Sequence, residues 1–212
     1  MEVSTVKNKQ LKILAECALF VALAFVLDLL GKLFPSWPNG GSITVAMVPI
    51  VYAAYRHGVK WGLAAGFVFS AIQMMMGVWA PPVNNILFYF LEILLDYVLA
   101  FTLLGLAPLF AKPFVRRASL VGYGVGAVAV CLLRFLCSFV SGVIIWSESY
   151  YAGVGYTMAD AFTDGGAWLF SLTYNGGYML PNAILTGVLC VLLCALLDPK
   201  TLRRPKKSQK KT

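Results

Sequence analysis

The chain has 212 residues, of which 60% are hydrophobic and only 12% are charged, and its mean hydropathy is +0.80. A soluble domain carries roughly twice that charged fraction, so the composition excludes an ordinary soluble protein. The apolar stretches approach the ~20 residues that a transmembrane helix needs, and they lack the alternation of barrel strands. Because backbone polar groups in lipid must be satisfied internally, the sequence predicts an all-α membrane protein.

The formal net charge of +8 is distributed unevenly along the chain. Basic residues cluster before the first apolar stretch, in the second and fourth connections and in the tail, whereas the remaining connections carry only Lys32. This alternation follows the positive-inside rule and predicts that both termini are cytoplasmic. The basic cytoplasmic tail, residues 198–212, is expected to contact anionic membrane lipid, and no nucleic-acid partner is expected.

In chain order, the apolar stretches predict a bundle of six transmembrane helices that forms a single domain over residues 1–212. The second stretch is short enough to be re-entrant or tilted. The first outward connection, residues 34–42, is rich in proline and glycine and is predicted to be non-helical. The outward connection 147–167 is long enough to act as a lid. The predicted spans lie near residues 11–31, 43–56, 59–79, 86–110, 118–146 and 172–197.

Two of these spans carry pairs of small residues at a spacing of four. Ala18 and Ala22 lie in the first span, and Gly62 and Gly66 lie in the third. Small residues one helical turn apart let another helix approach closely, either within the chain or in a partner protein.

Three ionisable residues fall inside predicted spans, where charge is costly and points to function. Glu92 and Asp96 lie in the fourth span and Arg134 in the fifth. From the outer ends of their helices, Asp96 is about 15 Å deep and Arg134 about 18 Å deep, so the two could pair. One interpretation is an ion pair that only holds two helices together, and the other is a carboxylate that also faces a ligand.

One face of the fifth span carries a charged group, a hydroxyl group, a glycine and an indole ring. Arg134, Ser138, Gly142 and Trp146 recur every four residues and therefore share that face. Tyr97 follows Asp96 in the fourth span. Buried carboxylate, aromatic rings and outward loops predict a pocket for a flat ligand, and such a pocket would also suit a cation.

The residues needed for several other activities are missing from the sequence. There is no phosphate-binding loop of the G-x-x-x-x-G-K-[ST] type, so ATP binding by that route is excluded. His57 is the single histidine and is predicted to be a surface residue in a cytoplasmic connection, so no Ser/His/Asp triad can be assembled. The five cysteines lie in apolar stretches and are predicted to be small core residues. We therefore expect no enzymatic activity, no cofactor and no metal site.

Several stretches, in their order along the chain, resemble the thiamine-specific S-component of energy-coupling-factor transporters. The resemblance implies a six-helix substrate-binding subunit of the cell membrane that takes up thiamine without catalysis of its own. It also implies association with a transmembrane coupling protein and two ATPase subunits. The stretches are Ala18–Leu27 (ALFVALAFVL), Pro38–Thr44 (PNGGSIT), Arg56–Gly66 (RHGVKWGLAAG), Leu95–Phe101 (LDYVLAF), Leu133–Trp146 and Ser171–Pro181 (SLTYNGGYMLP).

The resemblance also assigns roles to individual positions. Asp96 matches an acidic residue that bonds the aminopyrimidine, and Asn175 matches a polar contact near the start of the sixth helix. Gly142 and Trp146 match the positions that admit and stack the ligand. Ala18 and Ala22 match a pair that contacts the coupling protein. Trp37, in the first outward connection, is a lid candidate on composition alone.

Two departures from the family pattern bear on the ligand. Ser138 stands where the family usually has histidine, and Phe170 stands where it usually has tyrosine. The pyrimidine side of the site is preserved and the thiazolium side is altered, so a thiamine precursor or analogue could be the ligand in place of thiamine. The sequence also leaves open an S-component for a different vitamin, and a self-sufficient secondary transporter in which Arg134 and Glu92 or Asp96 form a coupling-ion path.

Overall fold

A computed structural model describes residues 2–33, 37, 40–82, 84–115, 120–147 and 165–197, with side chains from Asn8 onward except that of Val115. The basic tail and most of the second outward connection lie outside these residues. Within the described ranges every regular element is helical, in agreement with the predicted all-α class. The six-span count and the cytoplasmic position of both termini stay predictions.

The helices of the described residues are joined by connections of unequal length. The fourth and fifth each contain a π-helical segment, from Ile93 to Leu99 and from Gly142 to Trp146. The helices are α1 (Glu2–Gly31), α2 (Met47–His57), α3 (Val59–Met76), α4 (a continuous run of Ile86–Glu92, Ile93–Leu99, Ala100–Thr102, Leu103–Leu106 and Ala107–Val115), α5 (Val121–Ser141 continued by Gly142–Trp146) and α6 (Gly165–Leu197).

Five of these helices are long and apolar enough to cross a membrane, namely α1 from Asn8, α3, α4 to Phe114, α5 and α6. Their outer faces carry large apolar side chains that are well exposed, such as Leu19 (70%) and Leu180 (65%). A soluble protein rarely exposes so much contiguous apolar surface, whereas a lipid-facing bundle requires it.

Helix α2 is the exception, because its 11 residues extend only about 16 Å, roughly half of the hydrocarbon thickness. Residues 47–55 of this helix are all buried, and they form the centre of the apolar core together with residues of the other helices. Tyr55 donates a hydrogen bond to the backbone carbonyl of Tyr123 on α5. This helix is therefore the internal support around which the longer ones are arranged.

Helices α3 and α4 approach closely through glycine. A Cβ on Gly62 would lie 2.9 Å from the Cα of Gly105, and a Cβ on Gly66 would collide with the carbonyl oxygen of Phe101. The small-residue pair of the third span therefore serves packing within the chain. It holds the two helices that form one wall of the cavity described below.

The small-residue pair on α1 behaves differently. Ala18 and Ala22 are both exposed, as are the neighbouring Leu19 and Leu23. No helix of the described chain covers this face, so the pair does not serve internal packing there. The inner side of α1 is tied to α2, because Glu16 accepts a hydrogen bond from Arg56 at 2.6 Å.

The single histidine is part of the same junction. The Nε2 atom of His57 lies 3.0 Å from the Glu16 carboxylate, and the side chain is 9% exposed. The prediction that His57 is a simple surface residue was therefore wrong, since the α1–α2 junction covers it.

Candidate functional site

The helices enclose a cavity of about 530 Å³ that is lined by every helix except α2 and by the connection between α1 and α2. Pockets that bind small molecules typically have about this volume. Eight of the nine predicted ligand-contacting residues line the cavity. They are Glu92, Asp96, Tyr97, Ser138, Gly142, Trp146, Phe170 and Asn175.

Both helices that carry the central polar groups change their winding at the cavity. Asp96 and Tyr97 lie in the π-helical segment of α4, and Gly142 and Trp146 bound that of α5. In an α-helix, each four-residue step drifts by about 40° around the axis. A π-turn contains more residues than an α-helical turn, so a four-residue step there falls short of a full turn and offsets this drift. Ser138, Gly142 and Trp146 therefore all reach the same cavity.

Asp96 is the point where the groups of α4 and α5 meet. Its carboxylate accepts a short hydrogen bond from the hydroxyl of Ser141, and its electrostatic neighbours include Ser138 and Trp146. The predicted convergence of carboxylate and indole is therefore present in one space. Ser141 was not predicted, although its spacing of three from Ser138 also places two side chains on one helix face.

Arg134 does not form the ion pair that its depth suggested. Its guanidinium lies over the ring of Phe101, with the Cζ atom 4.3 Å from the ring centroid. Among the described residues, ion pairs within 4 Å join Lys32 to Asp28 and the α1–α2 residues above, and none includes Arg134. The ring of Phe101 on α4 contacts this cation instead, while Asp96 contributes a longer-range attraction.

Gly142 admits a neighbouring helix. A Cβ at this position would collide with the hydroxyl of Ser171 and lie 2.8 Å from Nδ2 of Asn175, both on α6. The gap that the glycine leaves is thus largely occupied by α6, although the residue still lines the cavity.

Asn175 is buried and its hydrogen bonds hold α6 against α5. Its Nδ2 donates to the backbone carbonyl of Ser138 at 3.1 Å and to Ser171, and its Oδ1 accepts from Tyr178 at 2.8 Å. The amide donors are therefore used within the protein. The remaining lone pair of Oδ1 is the part of this side chain that is free for a ligand.

Aromatic rings line part of the cavity. The rings of Phe170 and Tyr174 are tilted against each other at 5.6 Å. The hydroxyl of Tyr97 accepts from the backbone N–H of Trp79 at 3.2 Å and faces the Gly77 carbonyl at 3.4 Å. Tyr97 therefore holds the α3–α4 connection at the edge of the cavity.

The connection between α1 and α2 lies over one end of the cavity. Gly40 and Gly41 adopt positive φ angles of 93° and 92°, which L side chains rarely adopt. The Gly40 carbonyl accepts from Tyr174 at 2.8 Å. Asn182 fixes the far end of the connection, since it accepts from the Thr44 N–H at 2.8 Å and donates to the Ser42 carbonyl at 2.9 Å.

Trp37 is the one predicted contact residue that does not line the cavity. Its ring packs edge-on against Tyr178 at 5.8 Å and lies beside Gly177. Tyr178 does line the cavity and bonds Asn175, so Trp37 lies behind a cavity wall.

Among the described residues, no group of three or more histidine, cysteine, aspartate or glutamate side chains could hold a metal ion. Four of the five cysteines are buried. The polar groups of the cavity are therefore suited to hydrogen bonding and electrostatic recognition of an organic molecule.

Comparisons with known proteins agree with these features. A family model described as thiamine transporter protein matches residues 14–202. Thiamine transporter ThiT of Bacillus subtilis (strain 168) is 34% identical over 206 residues, which cover 94% of this chain and 98% of that protein. Thiamine transporter ThiT of Lacticaseibacillus paracasei is 28% identical over 195 residues, covering 88% and 89%.

The fold is also that of a solved relative. The structure of ThiT from Listeria monocytogenes matches with a TM-score of 0.65 at 23% identity, covering 92% of this chain and 99% of that one. Five apolar helices and these relatives identify a multi-pass protein of the bacterial cell membrane. The resemblance found in the sequence is confirmed at the level of the family. The chain belongs to the thiamine transporter protein family.

Proposed function

We propose that this protein is the substrate-binding subunit that captures thiamine for uptake, and that partner ATPases supply the energy. The observation that carries the proposal is the position of Asp96, whose carboxylate accepts from Ser141 and lines a cavity together with Trp146 and Ser138. Family membership supports thiamine as the ligand, because the matched relatives are named as thiamine transporters.

The chemistry of thiamine fits the two kinds of group in this cavity. Its aminopyrimidine ring carries an amino donor, which a buried carboxylate such as Asp96 accepts as a strong hydrogen bond. Its thiazolium ring is a flat cation, which the faces of Trp146, Tyr174 and Phe170 attract. Aromatic attraction does not require the histidine or tyrosine that this chain replaces with Ser138 and Phe170.

The remaining parts of the proposal concern assembly and topology. We place both termini in the cytoplasm, count the short α2 as the second of six membrane segments, and expect no catalysis. The coupling protein would bind the exposed Ala18–Ala22 face. Trp37 and the α1–α2 connection that contains it would act as the lid over the cavity.

Titration of the purified protein in detergent tests the binding step. We expect thiamine to quench tryptophan fluorescence at submicromolar concentrations and isothermal calorimetry to give the same affinity. Trp146→Ala should largely abolish binding, and Asp96→Asn should weaken it by about tenfold or more, because a charge-assisted hydrogen bond is lost. Calorimetry is needed because Trp146 is itself a fluorophore.

Trp61→Phe is the matched control, since Trp61 lies on α3 and does not line the cavity. It should lower the total fluorescence and leave the affinity unchanged. Full affinity in both Trp146→Ala and Asp96→Asn would remove these residues from the site. No binding of thiamine or its pyrimidine half by the wild type would contradict the proposal itself.

A further inference from the structure

One wall of the cavity, formed by α3 and α4, carries two polar side chains to which the family resemblance assigns no role. Gln73 on α3 is 8% exposed and Glu92 on α4 is 1% exposed, and both line the cavity. The Nε2 atom of Gln73 and the Oε2 atom of Glu92 are buried without a hydrogen-bond partner in the described structure.

The packing of the two helices places these side chains at one level. Gly62 contacts Gly105, and Gly66 contacts Phe101, so α3 and α4 run antiparallel in a fixed register. Continuing that register along α3 by about two turns brings Gln73 opposite the turn of α4 that contains Glu92. An amide donor and a carboxyl group therefore face the same part of the cavity.

Several of the remaining buried polar groups of the cavity have partners. Asp28 lies 3.1 Å from Lys32, Ser141 bonds Asp96, and Asn175 bonds Ser138. An unpaired polar group buried within a membrane protein costs free energy, and in such a position it indicates function. The free atoms of Gln73 and Glu92 are thus available to a ligand.

We propose that Gln73 and Glu92 form a hydroxyl-binding subsite that recognises the hydroxyethyl arm of the ligand. A hydroxyl group meets both unsatisfied atoms at once, because its oxygen accepts from Nε2 of Gln73 and its proton is donated to the Glu92 carboxyl group. Asp96 would bind the pyrimidine one helical turn away. This inference rests on thiamine being the ligand.

A pair of ligands tests the subsite, namely thiamine and the analogue in which an ethyl group replaces the hydroxyethyl group. A site built around a hydroxyl leaves its own polar groups unpaired when that hydroxyl is missing, so it discriminates strongly. Calorimetry on the wild type should show about tenfold tighter binding of thiamine. In Gln73→Met and in Glu92→Met the ratio of the affinities for thiamine and for the ethyl analogue should fall towards one. Glu92→Gln keeps an acceptor and should retain part of the preference for thiamine.

Thermal unfolding without ligand provides an independent measurement. Gln73→Met and Glu92→Met each replace an unpaired buried polar group by an apolar one of similar size, so the unfolding temperature should rise or stay unchanged. Thr102→Val is the matched control, because Thr102 Oγ1 is also buried and unpaired on α4 but does not line the cavity. It should raise stability in the same way and leave the ligand ratio at its wild-type value.

The outcomes separate this subsite from the proposed function. If thiamine binds and the ratio is unchanged in both methionine variants, the subsite is refuted and the thiamine proposal stands. A strong loss of stability in both variants with an unchanged ratio would show that the two side chains are structural. If neither ligand binds the wild type, both proposals fall.

Discussion

At Asp96, the hydroxyl of Ser141 contributes to the orientation of the carboxylate that faces the cavity. Ser141 is fully buried on α5, and its hydroxyl donates to Oδ2, one of the two carboxylate oxygens of Asp96. Since α4 and α5 contribute one partner each, this bond also links the two helices that contain π-turns. The affinity for a ligand held by Asp96 therefore depends on a residue that need not touch the ligand.

Replacing Ser141 by alanine should weaken thiamine binding about fivefold, because a net hydrogen bond is worth about 1 kcal/mol. Ser147→Ala is the control, since Ser147 is equally buried directly after the same helix but bonds the carbonyl of Val143 within that helix. Calorimetric titration of both variants measures the effect. Equal affinities would show that Asp96 is oriented without Ser141.

Single residues were predictable from the sequence where chemistry alone marks them. An aspartate or arginine inside an apolar stretch is conspicuous, so Asp96 and Arg134 were found. The partner of Arg134 was not, because a matching depth does not distinguish a carboxylate from the aromatic ring of Phe101. Gln73 was missed for a similar reason, since one amide in a mostly apolar helix carries no signal until its unsatisfied Nε2 is placed in a cavity.

At the level of elements, the contact of α3 with α4 determines where one cavity wall stands. Gly66 allows the α4 backbone to lie directly against α3, and there is no flexible side chain at that contact that could move aside. Displacing α4 would also move Glu92, Asp96 and Tyr97, which lie on the same helix. The packing of α4 against α3 therefore determines where the cavity-lining side chains of α4 lie.

We expect Gly66→Ala to destabilise the protein by about 1–3 kcal/mol, as overpacking of a tight contact does. Gly176→Ala is the matched control, because Gly176 is also helical and a Cβ there would meet no atom within 4 Å. Alanine at that position should stabilise the protein by about 0.5–1 kcal/mol. Thermal unfolding in one detergent, measured for both variants, gives the comparison, and similar shifts in the two would contradict the packing argument.

The helices themselves were predictable from apolar length, but their internal winding was not. Residues that form a π-turn are ordinary helix formers, and the extra residue per turn appears in no composition or spacing rule. The start of α6 also precedes the span expected from residue 172, because Gly165–Ser171 continues the helix beyond the most apolar part. Tertiary contacts with α5, including the bond from Ser171 to the Phe139 carbonyl, accompany that extension.

For the molecule as a whole, composition alone was sufficient to assign the class, because an apolar chain of this length must satisfy its backbone in lipid. What composition does not distinguish is which exposed apolar surface meets lipid and which meets protein. Ala18 and Ala22, like Ala15, are small residues on the exposed surface of α1, so a partner helix can approach the backbone there.

Replacing both Ala18 and Ala22 by leucine should leave thiamine binding unchanged and abolish co-purification with a coupling protein and its ATPases. The expected reason is steric, since the added side chains separate two helix backbones. Ala64→Leu, which also changes an exposed alanine on another helix, is the control. Intact assembly of the double variant would contradict the role of this face, and thiamine uptake by vesicles that contain this chain alone would contradict the need for partners.

The cover of the cavity is attached mainly through main-chain atoms. Tyr174 bonds the carbonyl of Gly40, and Asn182 bonds the carbonyl of Ser42 and the amide of Thr44. Such attachments do not depend on the side chains of the covering segment, the two glycines apart, but they do depend on its length. The gain or loss of one residue between Gly40 and Thr44 would therefore misalign all three bonds together.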